Sequence, residues 1–389
     1  MEKKTSYKFS GIFNYFFQNQ QSSGILLILF TIISLILSNS AYNSNYQALI
    51  HSATKNNFQL PATLLDWINE GLMTLFFVLI GIEIKRELYE GELKNRKNAM
   101  LPLLGALGGM IVPAVIYIIF NLNSPSTING AGIPMATDIA FAIAILGLLG
   151  NSIPLALKIF LTALAIIDDL GAILIIAVFY GHGLQLNWLV LSGGICMLMF
   201  FLNKKEKTSL WVYIFLGLAL WYCFLQSGIH ATISGVLFAF LIPMGNQTKR
   251  NISNTIEHFL SKPVAFLILP LFAATNTALS FNSNSLNLSN SVSLGIIGGL
   301  LIGKPLGIFG FSYLGSKLKI ASLSSKIHLR QLLGASVLGG IGFTMSIFIT
   351  NLAFEQNDII NNGKVSILIA STIAAIVGYF ICKKSINNN

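Results

Sequence analysis

Charged residues are scarce in this sequence. Asp, Glu, Lys and Arg make up 10% of its 389 residues, against roughly 25% in a soluble domain. So few cannot cover a surface that faces water on every side. The mean hydropathy of +0.73 agrees, and a water-soluble globule is excluded. Long polar stretches are missing too: none exceeds about 25 residues, so no attached soluble domain is expected. Cysteine is rare, and Cys196, Cys223 and Cys382 show neither metal-ligand spacing nor a pairing pattern. They read as small apolar fillers in helices. Alternating polar and apolar positions are also lacking. The apolar runs are continuous, and since an open sheet cannot span lipid, strands are not expected. The net charge of +10 does not point to nucleic acid, because the Lys and Arg residues sit in short loops between apolar runs, where they set topology.

What the chain does have is apolar runs of the length a bilayer demands, roughly 20 residues per helix. They predict spans over 22–39, 64–84, 99–120, 133–150, 154–180, 187–202, 210–226, 228–243, 263–281, 293–314, 331–353 and 365–382. The fold class is therefore an all-α membrane protein of about twelve helices. It reads as one polytopic domain, with a cytoplasmic segment over 1–21, a bundle over 22–382 and a tail over 383–389. Lys3, Lys4 and Lys8 ahead of Gly24–Leu37 resemble a signal peptide, with Ser38–Ala41 as a weak cleavage site, but the many following spans favour an uncleaved first helix. Numbering the connections alternately puts twenty of the 24 Lys and Arg residues on one side and only Lys55 and Lys364 on the other, with Lys158 and Lys304 inside spans. The inside set includes Lys85 and Arg86. By the positive-inside rule both termini are cytoplasmic.

An ionisable residue at membrane depth costs at least about 2.5 kcal/mol and asks for a reason. Asp138, Lys158, Asp168, Asp169 and Lys304 are such residues, with Glu70, Glu83 and His230 near span ends. Asp168 and Asp169 are neighbours, so on a helix they point about 100° apart. One carboxylate can ligate a hard cation while the other pairs with a neighbouring helix. Two carboxylates in low dielectric also resist ionising together, so the pair can hold protons or a cation. A buried structural pair is the bland alternative. Lys304 needs a carboxylate partner, for which Asp168 and Asp169 are the candidates. The stretch Gly298–Lys304 imitates a phosphate-binding loop, but Pro305 stands where Ser or Thr is required. Lys158 lies nearer a helix end and snorkels.

Two spans look interrupted. One carries Pro134-Met-Ala-Thr-Asp138 after Gly130 and Gly132. The other carries Leu338-Gly-Gly-Ile-Gly342-Phe-Thr344-Met-Ser346. Broken helices at matching places in two halves mark a midplane binding site in transporters, although small residues also serve plain helix packing. Gly105-Ala-Leu-Gly108-Gly109 and Gly295-Ile-Ile-Gly298-Gly299 echo one another in spans of opposite direction, which suggests an inverted repeat.

At these residues the sequence resembles a known family. Ala136-Thr-Asp-Ile-Ala-Phe141, Ala156-Leu-Lys-Ile-Phe160, Ala163-Leu-Ala-Ile-Ile-Asp-Asp-Leu-Gly171, Leu301-Ile-Gly-Lys-Pro-Leu-Gly307 and Gly340-Ile-Gly-Phe-Thr-Met-Ser-Ile-Phe348 look like the signatures of the NhaA sodium/proton antiporters. The likeness runs from Gly24 onward. NhaA is itself a standard example of inverted-repeat architecture. The resemblance implies electrogenic, pH-regulated exchange of internal Na+ or Li+ for external H+, serving sodium and pH homeostasis in a bacterial inner membrane. It implies no cofactor beyond the transported ions, and twelve helices with the fourth and eleventh unwound and crossed. Asp169 would be a principal, transient Na+ ligand, with Asp168 the partner of Lys304 and Thr137 beside the site. Asp138 would offset helix N-termini and Lys304 helix C-termini. Glu83, Arg86, Glu87, Glu257 and His258 match positions linked to pH control, and His230 lies in a further family-like segment. Two departures stand out. Ser261 replaces a His expected after Glu257-His258, and Ala41–Pro61 matches poorly the hairpin that joins family dimers.

Two other readings compete. Paired intramembrane aspartates suit an aspartyl protease, but the Gly-x-Gly-Asp arrangement is absent. A sodium-coupled organic-anion symporter on a related fold is the second.

Overall fold

The computed structural model describes residues 22–53, 60–91, 94, 96–179, 183–205, 209–244, 252–281, 287–324 and 327–386. The signal-peptide question at Lys3, Lys4 and Lys8, and loop charges such as Lys55, Lys207, Lys249 and Arg250, lie outside them. Among the described residues the chain is helical, and the single β pairing is an isolated antiparallel bridge between Ala53 and Thr63. In chain order the helices are α1 (Ser22–Ser38), α2 (Asn43–Ile50), α3 (Leu64–Tyr89), α4 (Arg96–Asn121), α5 (Ile139–Gly147), α6 (Leu155–Phe179) and α7 (Leu186–Lys204). They continue with α8 (Leu210–Ser227), α9 (Thr232–Leu241), α10 (Ile252–Asn276), α11 (Ser291–Lys317), α12 (Leu329–Leu338), α13 (Phe343–Ala353) and α14 (Asn357–Ile386). A 3-10 turn over Ile128–Met135 precedes α5.

Nine of these helical stretches are long and apolar enough to cross a bilayer, and up to eleven if each of two bent pairs is one span, α1 with α2 (120°) and α12 with α13 (43°). The expected eighth span appears as α9, only ten residues long. The ninth begins earlier than its apolar run, because the amphipathic segment Ile252–Pro263 joins it. Three helices widen locally into π turns, at Trp67–Leu72, Val264–Ile268 and Gly299–Gly303. Pro270 and Pro305 follow the last two closely. A proline ring in a regular helix clashes with the carbonyl four residues back, and a widened turn relieves that clash, a feature frequent at functional sites.

The chain forms two compact units. The first comprises Met1–Ile33, Asn95–Asp168 and Phe281–Asn389; the second comprises Ser34–Lys94 and Asp169–Ser280. In the first unit α4 packs along α11, and the two backbones meet at Gly108 and Gly307. A Cβ on either would collide with the other's main chain. Glycines of both echoes lie in this contact, Gly109 against Ile308 of α11 and Gly295 against Tyr117 of α4. Both interrupted spans belong to this unit. After the 3-10 turn the chain is extended at Ala136 (φ −79°, ψ 151°) and Asp138 (φ −80°, ψ 100°) before α5 begins. The other break separates α12 from α13 over 339–342. The unwound stretches touch: the Asp138 amide donates to the Ile341 carbonyl at 2.6 Å.

In the second unit α3 and α9 lie so close that a Cβ on Gly81 would stand 2.7 Å from the Ala239 Cβ. Two lysines assigned above to loops are in fact helical and buried. Lys85 lies inside α3, which runs on to Tyr89, and is 6% exposed. Lys364 lies inside α14, is 8% exposed and forms no ion pair among the described residues. Charge asymmetry locates lysines only to the nearest loop, and a long aliphatic stem can as well run inward.

Candidate functional site

The site grows from the two helix breaks in the first unit. Unwinding frees backbone groups that must be satisfied at depth. Thr137, in the extended stretch before α5, places its hydroxyl 2.8 Å from the Gly339 carbonyl of the second break and 2.9 Å from Asp168 Oδ2. It donates to one of them at a time, and it accepts from Lys304 Nζ at 2.7 Å. Lys304 opens the second α-helical stretch of α11 directly after the π turn, and its ammonium forms an ion pair with Asp168 Oδ2. Lys304, Asp168 and Thr137 are all 0% exposed. Asp168 Oδ1 is buried with no hydrogen-bond partner among the described residues, so half of this carboxylate remains open to a further cation or proton. Between the two aspartates as partners for Lys304, the structure selects Asp168.

Asp169 follows Asp168 on α6 and is 1% exposed. It opens a segment of the second unit. Asp138 acts at both breaks. Its Oδ1 accepts from the Phe141 amide at 2.9 Å, capping α5, and its Oδ2 accepts from the Thr344 hydroxyl at 2.6 Å and amide at 3.2 Å, at the start of α13. One carboxylate thus faces two helix N-termini, where partial positive charge gathers. Lys158 stays peripheral, its Nζ donating to the Gly150 carbonyl at 3.2 Å. Among the described residues no three His, Cys, Asp or Glu side chains gather as a metal centre. A cation here would draw on aspartate oxygens supplemented by hydroxyls and carbonyls, the ligands of hard ions.

The remaining candidate residues lie in the second unit. Arg86 on α3 pairs with Glu257 on α10, and its other arm lies 3.9 Å from Glu87. Glu83 stands one turn earlier on α3 and is half-buried. His258 is exposed. Ser261, in place of the expected His, donates to the Glu257 carbonyl at 2.5 Å within its own helix. His230 is separate from this group: its Nδ1 lies 3.2 Å from Glu70 Oε1. From the sequence Glu70 stands near a span end and Lys85 in an inside loop, neither with a partner. Glu70 meets the His230 side chain and the Ala231 amide, and Lys85 meets the carbonyls of Phe240 and Ile242, all more than 150 residues away and none signalled as a pair by the sequence. Thr344 was visible only as a polar residue in a break.

Known proteins resemble this chain in sequence, and one in fold. The family described as Na+/H+ antiporter 1 matches residues 14–382. A protein from Flavobacterium psychrophilum named Na(+)/H(+) antiporter NhaA is 53% identical over 382 residues, covering 98% of both chains. Na(+)/H(+) antiporter NhaA 1 of Clostridium beijerinckii is 48% identical over 393 residues, again covering 98% of each. The NhaA of Yersinia pestis is 46% identical over 380 residues, covering 96% of each. Among solved structures, the sodium proton antiporter MjNhaP1 from Methanocaldococcus jannaschii at pH 8 superposes with a TM-score of 0.54. It is 15% identical and covers 96% of this chain and 98% of its own, a likeness of fold.

Proposed function

This chain belongs to the Na+/H+ antiporter 1 family, and from that membership we propose that it exchanges internal Na+ or Li+ for external H+ electrogenically, under pH control, in a bacterial inner membrane. Its relatives are transporters rather than enzymes, which sets aside the protease reading, and their names speak for ion exchange rather than organic-anion symport. The observation that carries the mechanism is the fully buried set Lys304–Asp168–Thr137 between two interrupted helices. Sodium arriving at Asp168 and Asp169 competes with the Lys304 ammonium for carboxylate. The ion pair weakens and a proton leaves; protonation of Lys304 in turn helps expel sodium. Alternating access carries the site between the two sides. Asp138 offsets the N-terminal ends of α5 and α13 throughout.

Arg86, Glu83, Glu87, Glu257, His258 and His230 are proposed to set the pH range. A His can titrate near neutral pH, and Arg86 with Glu257 provides the charge pair that protonation would disturb. A homodimer is also proposed from the family membership, against the poor match of Ala41–Pro61, described only through Ala53 and from Leu60, to the hairpin that joins family dimers.

The test is exchange by purified protein in liposomes with a trapped pH-sensitive dye. Added Na+ or Li+ should collapse an imposed pH gradient and K+ should not; no response to Na+ would refute the reading. Orientation has its own test. A cysteine at exposed Ser126 should react with an impermeant reagent from outside and one at exposed Ser209 should not, and outside labelling at Ser209 would invert the topology. The companion position Ser285 lies outside the described residues.

A further inference from the structure

Helix α9 has no side-chain cap of its own at either end. Its N-cap is Ala231, which carries no side-chain acceptor, and its C-cap is Ile242, extended at ψ 147°. Alanine is among the poorest N-caps, and a ten-residue helix is too short to be stable by itself. Most of the missing cap bonds come from α3, with one from α7, where Asn203 Nδ2 donates to the Leu241 carbonyl at 3.0 Å. At the N-terminal end, Glu70 Oε2 accepts from the Ala231 amide at 3.0 Å. At the C-terminal end, Lys85 Nζ donates to the carbonyls of Phe240 at 2.9 Å and Ile242 at 2.5 Å, with that of Ala239 at 3.4 Å. The two charged groups, an acid at the positive end of the helix dipole and a base at the negative end, both stand on one neighbouring helix. Glu70 is itself held: its carbonyl accepts from Trp221 Nε1 at 2.8 Å and from the Thr74 hydroxyl at 2.6 Å. Neither charge takes part in the ion site.

We propose that Glu70 and Lys85 are positioning residues that clip α9 to α3 at both ends, and that Lys85, by fixing α3 next to Arg86, sets the approach of Arg86 to Glu257 and so the pH range of exchange. This rests on the reading of Arg86 and Glu257 as regulatory. The charged and titratable groups on the elements packed against α3 are few. Beside Asp66, Glu70, Glu83, Arg86, Glu87 and Tyr89 on α3, with Glu90 at its end, α10 carries Glu257, His258 and Lys262, α8 carries Tyr213, Tyr222 and Cys223, and α9 carries none. His230 stands just before α9, against Glu70.

The experiment compares Lys85→Met, which removes every donor, with Lys85→Arg, which keeps charge and donors, in liposomes across the pH range of activity. Lys85→Met should shift the pH of half-maximal exchange by about half a unit, roughly a threefold change in proton concentration, and Lys85→Arg should restore it. A Lys85→Met variant with rates lowered equally at every pH and an unmoved half-point would overturn the inference. Spin labels at exposed Leu88 and Leu237 give a readout independent of transport: their distance distribution should broaden in Lys85→Met, and an unchanged distribution also overturns it. If Arg86→Ala and Glu257→Gln leave the pH profile intact, the regulatory reading has failed instead, and the spin-label result alone decides the clip. Should Lys85→Met not fold, Lys85→Gln, with fewer donors and no charge, takes its place in both measurements.

Discussion

Asp169→Asn should abolish sodium–proton exchange, lowering the rate on the order of a hundredfold or more, as expected for losing a group that must both carry charge and release a proton. The amide fills the same volume at a position only 1% exposed, so expression, helix content and thermal midpoint should stay near those of the unsubstituted protein. The amide cannot bear the negative charge that balances a sodium ion in low dielectric, and it has no proton to give up. Asp169→Glu keeps the charge but adds a methylene to a packed interior, so it should retain a fraction of the activity. Exchange at the normal rate in a well-folded Asp169→Asn variant would remove this residue from the mechanism.

The second large effect is expected at Lys304. Removing one partner of a buried ion pair strands the other charge, at about 3–5 kcal/mol. Lys304 and Asp168 are both 0% exposed, so Lys304→Gln should lower the thermal midpoint sharply. The double variant Lys304→Gln/Asp168→Asn should recover much of that loss, because no uncompensated charge remains. The coupling mechanism adds a second expectation. Without the amine, fewer protons move per sodium, and the rate should respond less to an imposed membrane potential. A Lys304→Gln variant stable enough to assay, with unchanged voltage dependence, would leave Lys304 as a structural residue that completes the packing of the two breaks.

Much of this was legible in the sequence, for reasons that differ by residue. Spans were readable because hydrocarbon demands long apolar runs. The breaks were readable because Pro134 and the glycines at 339, 340 and 342 interrupt such runs. Asp168, Asp169 and Lys304 stood out because charge at depth is rare. Which aspartate pairs with Lys304 was not fixed by position alone; the geometry at Thr137 shows it. Lys85 and Lys364 were misplaced because a loop-charge count cannot see whether a helix continues past its apolar run. The caps of α9 were invisible, since Ala231 and Ile242 look unremarkable and offer only backbone atoms, which the side chains of Glu70 and Lys85 reach across more than 150 residues.

The double role of Asp138 also has a mechanical side. Its two oxygens hold the first turns of α5 and α13, and its amide is tied to Ile341. Pulling either half-helix away strips the cap from both. Under force applied along the chain, α5 and α13 should therefore yield in one rupture, a knot of hydrogen bonds that breaks whole, whereas Asp138→Ala should let them peel apart in two smaller steps.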